Sequence, residues 1–289
     1  MSDLERLRAE SEALAAELPE LSGLVRQQAT AHPGGAPRQK AGHGEDFWQY
    51  RSQTPEDSAG AIDWRRSATG DEFYIREHEL QTAQLLEVWV DPSPGFDWRS
   101  EDQLLTKADE ARVLTTAIAL RFSEEGDLAA ALGGVKAPAR ANRAADYLLS
   151  DSVLPNRDSA PPPSRRDTSF AILASDFYGD MGAIERWVLQ SAGKSIHGIL
   201  LQVCDPLETS FPFQGRMKFT RPGGKAEKIF GRVEGLRDDY LERFEARQAQ
   251  ISELARRVGW TCRTHVTGEP RRGVCFDLMN FLAATGGGK

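Results

Sequence analysis

Cysteine is scarce in this chain of 289 residues: Cys204, Cys262 and Cys275 are the whole set. Their number is odd and no CxxC pair occurs, so neither a disulfide framework nor a zinc ribbon is supported. Long apolar runs are also lacking, since none approaches the roughly 20 residues that span a bilayer. The opening MSDLERLRAESEALAAEL is charged and amphipathic where a signal peptide would have an apolar core. Nor is basic charge in excess: 36 Lys and Arg stand against 43 Asp and Glu, for a net charge of −7. Such a chain has no global pull toward nucleic acid or anionic membrane. Histidine occurs five times, at 32, 43, 78, 197 and 265. No position among these is a convincing base or ligand, and His197 reads as a core residue of an apolar strand. No internal repeat is visible. These absences leave an acidic globular protein, expected to be cytoplasmic.

What is present is enough for a core. Hydrophobic residues make up 40% of the chain and spread over nearly all of it. Residues 3–29 place Leu4, Leu7, Leu14, Leu18, Leu21 and Val25 near a helical period, with Pro19 expected to break or kink the stretch. HPGGAPRQKAGHG, 32–44, reads as an exposed connector, and a strand is expected at 72–79. From residue 85 the texture changes. The apolar runs LLEVWV (85–90), LAAAL (128–132), FAILA (170–174) and IHGILLQV (196–203) alternate with amphipathic helices at 102–122, 141–150, 181–191 and 236–258. This alternation predicts βα units around a parallel sheet. The segment 155–168 contains three consecutive prolines and reads as a surface loop. The expected organisation is one large α/β domain, 81–289, with a helical and strand region at 1–80.

Three of the apolar runs end in an aspartate: Val90-Asp91, Ser175-Asp176 and Cys204-Asp205. In an open parallel sheet the carboxyl ends of the strands share one edge, and ligands bind in the crevice there. Carboxylates gathered on that edge repel unless hydrogen bonds or a cation compensate. Magnesium, which prefers hard oxygen ligands, is the natural ion. The alternative is that each aspartate caps the next turn, which Asp91-Pro92 and Asp205-Pro206 fit well. Ser93 follows in the loop Asp91-Pro92-Ser93-Pro94-Gly95 and is expected to be exposed at the edge. Asp91 stands where a nucleophile elbow needs glycine. Ser93 stands where a phosphoaspartate-forming phosphatase needs a second aspartate.

A second dense cluster is Asp63-Trp64-Arg65-Arg66, with Arg51 upstream. Arginine forks pair with carboxylates at two points, and a tryptophan beneath them would anchor the segment. It reads either as a partner-binding surface or as a structural clasp joining the N-terminal region to the sheet. Arg256, Arg257, Arg271 and Arg272 are diluted by Glu253 and Glu269 and read as a solvated face.

The loop Asp91–Gly95 resembles the D-x-S-x-S metal-binding loop of von Willebrand factor A domains, and Asp176 in LASDF matches their third-loop aspartate. More specifically, the ordered motifs GEDFWQYR, IDWRRSA, FYIREHE and LLEVWVD resemble the bacterial family catalogued as domain of unknown function fifty-eight. SDF at 175–177, DPLE at 205–208 and the long helix after Gly235 extend the resemblance over essentially the whole chain. It implies a three-layer von Willebrand factor A-like, Rossmann-like α/β domain with a mostly parallel sheet and an N-terminal helical appendage. It also implies a non-enzymatic adaptor, acting with a MoxR-type AAA+ ATPase and membrane-anchored von Willebrand factor A-like proteins in protein assembly or maturation. Asp91, Ser93, Asp176 and Asp205 would then form the metal or partner site. The chain departs from the family's loop at Gly95, where a second serine is usual. No threonine occurs between 117 and 167 for the second loop, leaving Thr168, Ser150, Ser152 and Ser164 as imperfect substitutes. A weakened or lost magnesium site is therefore expected. The competing expectation is a metal-dependent phosphoester hydrolase using the strand-end aspartates, for which no base is evident nearby.

Overall fold

The structure, a computed structural model, describes residues 3–24, 41–54, 58, 62–68, 73–79, 83–124, 126–151, 160–220 and 227–286. Helix α1 (Asp3–Glu17) is followed by strand β1 (Ala41–Ser52), the one-turn helix α2 (Trp64–Ser67) and strand β2 (Tyr74–Glu79). The chain then alternates through β3 (Leu85–Val90), α3 (Lys107–Glu124), β4 (Leu128–Ala131), α4 (Ala141–Asp151), β5 (Phe170–Ser175), α5 (Met181–Ala192) and β6 (His197–Cys204). A short helix α6 (Pro206–Ser210), the strands β7 (Met217–Thr220) and β8 (Glu227–Phe230), helix α7 (Arg237–Arg257), strand β9 (Thr261–Val266) and helix α8 (Arg271–Gly286) complete it.

β3, β4, β5, β6 and β9 form one sheet in the order β4-β3-β5-β6-β9, every pairing parallel. This is the expected α/β architecture with helices on both faces. β4 lies on one side of β3 and β5 on the other, so the chain reverses its direction of winding between β3 and β5. That reversal opens a crevice at the carboxyl ends of the strands.

Alternation along the strands divides the core. Leu86, Val88, Phe170, Ile172, Ile199 and Leu201 face a cluster shared with α1, α3, α4 and α8. Trp89, Leu173 and Leu200 face the opposite way, onto Ile184, Val188, Ile251 and Leu254 of α5 and α7. α3 is buried on nearly every side, as expected of a helix lying between the sheet and another helix. Its Ala108, Ala111, Ala117 and Ala119 permit that close approach. α1 supplies the outer cover through Leu7 and Leu14, with Leu18 just beyond its end, all in the same cluster. Each such leucine contributes roughly 1.5–3 kcal/mol of burial.

The sequence expectations for the N-terminal region change in detail. α1 ends at Glu17 ahead of Pro19, and the expected helical residues 25–29 lie outside the described residues. Of the expected connector at 32–44, residues 32–40 also lie outside them, but 41–44 begin β1. Antiparallel pairing with β2, Ala41 opposite Glu79 and Ser52 opposite Tyr74, satisfies a glycine-rich backbone that has little strand preference of its own. The β7–β8 hairpin and β9 carry no strong sequence signal. β9 is an edge strand with the polar run Thr261-Cys262-Arg263-Thr264, so it lacks the continuous apolar pattern of the central strands.

The proline-rich segment forms a strap rather than a free loop over 160–168. Glu87, fully buried in β3, accepts from the Thr168 hydroxyl at 2.6 Å and the Arg165 amide at 2.9 Å. The Arg165 guanidinium donates to the carbonyls of Gly134 and Lys136, and the Trp187 indole to that of Pro162 at 2.7 Å. Burial holds the Glu87 carboxyl above its ordinary range despite these donors.

Candidate functional site at the carboxyl edge of the sheet

Asp91, Asp176 and Asp205 follow the last residues of β3, β5 and β6, which are neighbours in the sheet, and all three are buried. Asp91 lies at the reversal point. Its Oδ2 accepts from the Ser175 hydroxyl at 2.6 Å, and its Oδ1 from the Ser93 amide at 2.8 Å. Burial pushes the Asp91 carboxyl up in spite of both donors, and the nearby charge of Asp176 adds to the rise. Asp205 caps α6: its Oδ1 accepts from the Leu207 amide at 2.9 Å and its Oδ2 from the Ser100 amide at 2.8 Å. Glu208 completes a capping box by accepting from the Asp205 amide at 2.9 Å.

Between these carboxylates lies a cation belonging to the chain itself. The Lys107 ammonium is 2.8 Å from Oδ2 of Asp176 and 2.6 Å from Oε1 of Glu208, with the lysine only 1% exposed. It also sits 5.5 Å from the ring centre of Tyr178, 5.9 Å from Trp98 and 6.0 Å from Phe96. Burial alone would lower the pKa of this amine; Asp176 and Glu208 outweigh burial and raise it, keeping it charged. Its place as the first residue of α3 makes this more telling. The positive end of the helix dipole disfavours an ammonium there, and the carboxylates must overcome that too. On Glu208 burial dominates and raises the carboxyl even beside the lysine.

Each of the two carboxylate oxygens of Asp91, Asp176, Asp205 and Glu208 accepts a hydrogen bond from within the protein, the remaining one being Oδ1 of Asp176 from the Tyr178 amide at 3.0 Å. A resident magnesium would need several of these oxygens turned toward a common point. Backbone amides, a serine hydroxyl and the lysine have them instead. Among the described residues no group of three or more His, Cys, Asp or Glu side chains is placed to hold a metal. The donor set does not fit magnesium. Thr168, the displaced-loop substitute, lies at the amino end of β5 on Glu87, away from this edge. Ser150 bonds back to the Asp146 carbonyl within α4, the Ser164 hydroxyl has no hydrogen-bond partner, and Ser152 lies outside the described residues.

Two phenylalanines beside this cluster occupy left-handed backbone. Phe177, immediately after Asp176, has φ 56°, and Phe211, the C-cap of α6, has φ 42°. A side chain there is strained, and such strain persists only where the surroundings hold it. The Arg247 guanidinium donates to the Phe177 carbonyl at 3.0 Å, and the Phe211 ring stacks on Tyr240 at 4.5 Å. Above the lysine and its carboxylates opens a cavity of about 770 Å³. Trp98, Tyr178, Phe211, Phe213, Phe219 and Tyr240 are among the residues that line it, as is Ser93.

The Asp63–Arg66 cluster is elsewhere, beside the β1–β2 ribbon. Asp63 caps α2 by accepting from the Arg66 amide at 3.0 Å, and the Arg66 guanidinium lies 5.6 Å from the Tyr50 ring and 5.7 Å from Tyr74. Trp64 does not lie beneath the arginines as expected. It is 59% exposed and meets Phe73 edge-on at 5.7 Å, while Arg65 is exposed. A helix of one turn has too few positions to bury the tryptophan while its cap faces Tyr50. Arg51 contributes backbone pairing with Ile75; its side chain lies outside the described residues. Arg271 also departs from expectation. Instead of joining a solvated face, it donates to buried Glu110 at 2.8 and 2.7 Å and to Glu10 at 2.7 Å, tying α1 to the core.

Lys107 is the residue that sequence reading misses. Its one signal is a lone lysine opening an alanine-rich apolar helix, in the turn that normally favours acids. Glu208 has a better one, standing at the capping-box position after Asp205.

The fold and this edge define a doubly wound α/β domain in which the strand-end carboxylate of Asp176, with Glu208, holds an internal lysine. The family model described as protein of unknown function DUF58 matches residues 49–250, and the chain belongs to that family. No curated protein and no solved structure matches it. No helix among the described residues is long and apolar enough to cross a membrane.

Proposed function

We propose that this protein is a non-enzymatic interaction module of the von Willebrand factor A-like kind, meeting its partner at the carboxyl edge of the sheet without a resident metal. The observation that carries this reading is Lys107, whose ammonium lies 2.8 Å from Asp176 and 2.6 Å from Glu208 where a divalent ion would otherwise balance the carboxylates. The partner we assign is a MoxR-type AAA+ ATPase, together with membrane-anchored von Willebrand factor A-like proteins, in cytoplasmic protein assembly or maturation. The stiff, doubly proline-bearing loop at 91–95 supports a fixed recognition surface. The hydrolase alternative is the weaker one, because two-metal chemistry needs carboxylate oxygens free to bridge ions, and those at this edge already accept protein donors.

The test is retention of the cognate ATPase on immobilised protein, in magnesium and in chelator. Equal retention in both is expected. Retention that chelator abolishes would overturn the metal-free site, and no retention in either would overturn the partnership.

A further inference from the structure

Resting on the reading of this edge as an interaction surface, we infer that the aromatic cavity above Lys107 is a receptor for a basic side chain, arginine or lysine, of the partner protein. Two carboxylates, Asp176 and Glu208, line the cavity, and those of Asp91 and Asp205 lie buried behind them, against the ammonium of Lys107 and the guanidinium of Arg247 on the Phe177 carbonyl. Lys218 at the rim adds no net charge, because Glu227 pairs with it at 2.7 Å. An incoming cation therefore meets unbalanced negative charge.

The walls strengthen this preference. Aromatic faces are the negative side of the ring quadrupole and attract cations within about 6 Å of the ring centre. The protein already uses these rings so: Trp98 and Tyr178 stand 5.9 and 5.5 Å from the Lys107 ammonium. Both rings are also partly open to solvent, Trp98 at 36% and Tyr178 at 43%, so each has surface left for a second cation. The volume of about 770 Å³ accommodates a long side chain and the residues flanking it. The walls hold apolar surface from Leu207, Met217 and Phe213 for the methylene stem. Phe211, held in left-handed backbone, is one of these walls.

The probe is the peptide acetyl-Leu-Arg-Leu-amide, compared with versions carrying norleucine or glutamate at the centre, titrated against the full chain and followed by heteronuclear NMR shifts of the Trp98 indole. The arginine peptide is expected to bind about tenfold more tightly than the norleucine peptide, with no detectable glutamate binding and a loss of affinity at high salt. Trp98→Ala should weaken the arginine peptide about fivefold while Trp98→Phe, which keeps a ring, restores most of it. Equal affinity for arginine and norleucine, or preference for glutamate, overturns the inference using the unmodified chain alone. The outcome is separable from the ATPase experiment. Arginine-selective binding without ATPase retention leaves the pocket and removes the partner. Retention of the ATPase that excess arginine peptide does not compete leaves the partner and removes the pocket.

Discussion

The ammonium of Lys107, 1% exposed at the first turn of α3, rests 2.8 Å from the Asp176 carboxylate that follows β5. Glu208, 2.6 Å away, closes the other side. A helix start, a strand end and a capping box from three separate parts of the chain thus share one charge. The arrangement does locally what a bound cation does in a carboxylate-rich crevice, and it cannot dissociate.

Removing that charge tests the substitution. Lys107→Ala leaves Asp176 and Glu208 buried without a counter-ion, a loss of about 3–5 kcal/mol for a broken buried pair. In thermal unfolding this corresponds to a fall on the order of 10 °C. Excess magnesium is expected to return part of the lost melting temperature in the variant while leaving the unmodified protein unchanged. An equal response to magnesium in both proteins would show that the lysine does not occupy a cation's place.

Asp205 separates capping from ligand chemistry. Both of its oxygens are taken by backbone amides, those of Leu207 and Ser100. Asp205→Asn keeps one good acceptor and should lower stability by no more than about 1 kcal/mol, whereas Asp205→Ala should cost about 1–2 kcal/mol. Urea denaturation of the two variants measures the difference. Neither change is expected to alter the response to chelator.

A different kind of constraint acts on Gly198, in β6 under Trp260. A Cβ at Gly198 would lie 2.2 Å from Cε3 of that indole. The ring has nowhere to go, because its Nε1 donates to the Ile196 carbonyl at 2.9 Å and Trp187 meets it edge-on at 6.1 Å. Gly198→Ala should therefore destabilise by about 1–3 kcal/mol, the usual range for overpacking. A midpoint in urea unchanged from the unmodified protein would show that the indole yields more readily than this packing implies.

The legible and illegible parts of the site differ in physical kind. Asp91, Asp176 and Asp205 follow apolar strands, and parallel topology places every such residue on one edge whatever the details. Their position could be read before any coordinate. Lys107 could not. Its burial depends on how far α3 runs over the sheet, and one lysine at a helix start looks like any solvated residue. Arg271 was obscured in the same way, since its partners Glu110 and Glu10 lie 161 and 261 residues away. In the fold, the strands β3, β5 and β6 declared themselves by continuous apolar runs. β1 and β9 owe their conformation to pairing rather than to their own residues, and local pattern does not carry that information.

The Glu110 cluster sets a pH dependence with a definite sign. Burial raises the Glu110 carboxyl, but hydrogen bonds from His265 at 2.9 Å and from Arg271 outweigh it and hold the group below its ordinary value of 4.5. A carboxyl depressed on folding binds fewer protons in the folded state, so its contribution is fully present above about pH 4.5 and is lost as pH falls through the folded value. Glu87, Asp91 and Glu208 are shifted the other way by burial, and protonation favours their folded forms. The wild-type curve alone would therefore mix opposing effects, and the informative quantity is the stability difference between the protein and Glu110→Gln. That difference should shrink progressively below about pH 4.5. Since Arg271 also reaches Glu10, the same acidification should loosen α1, exposing it to an acid-active protease before the sheet unfolds. A stability difference that persists undiminished well below about pH 4.5 would mean that Glu110 is not the group whose ionisation His265 and Arg271 support.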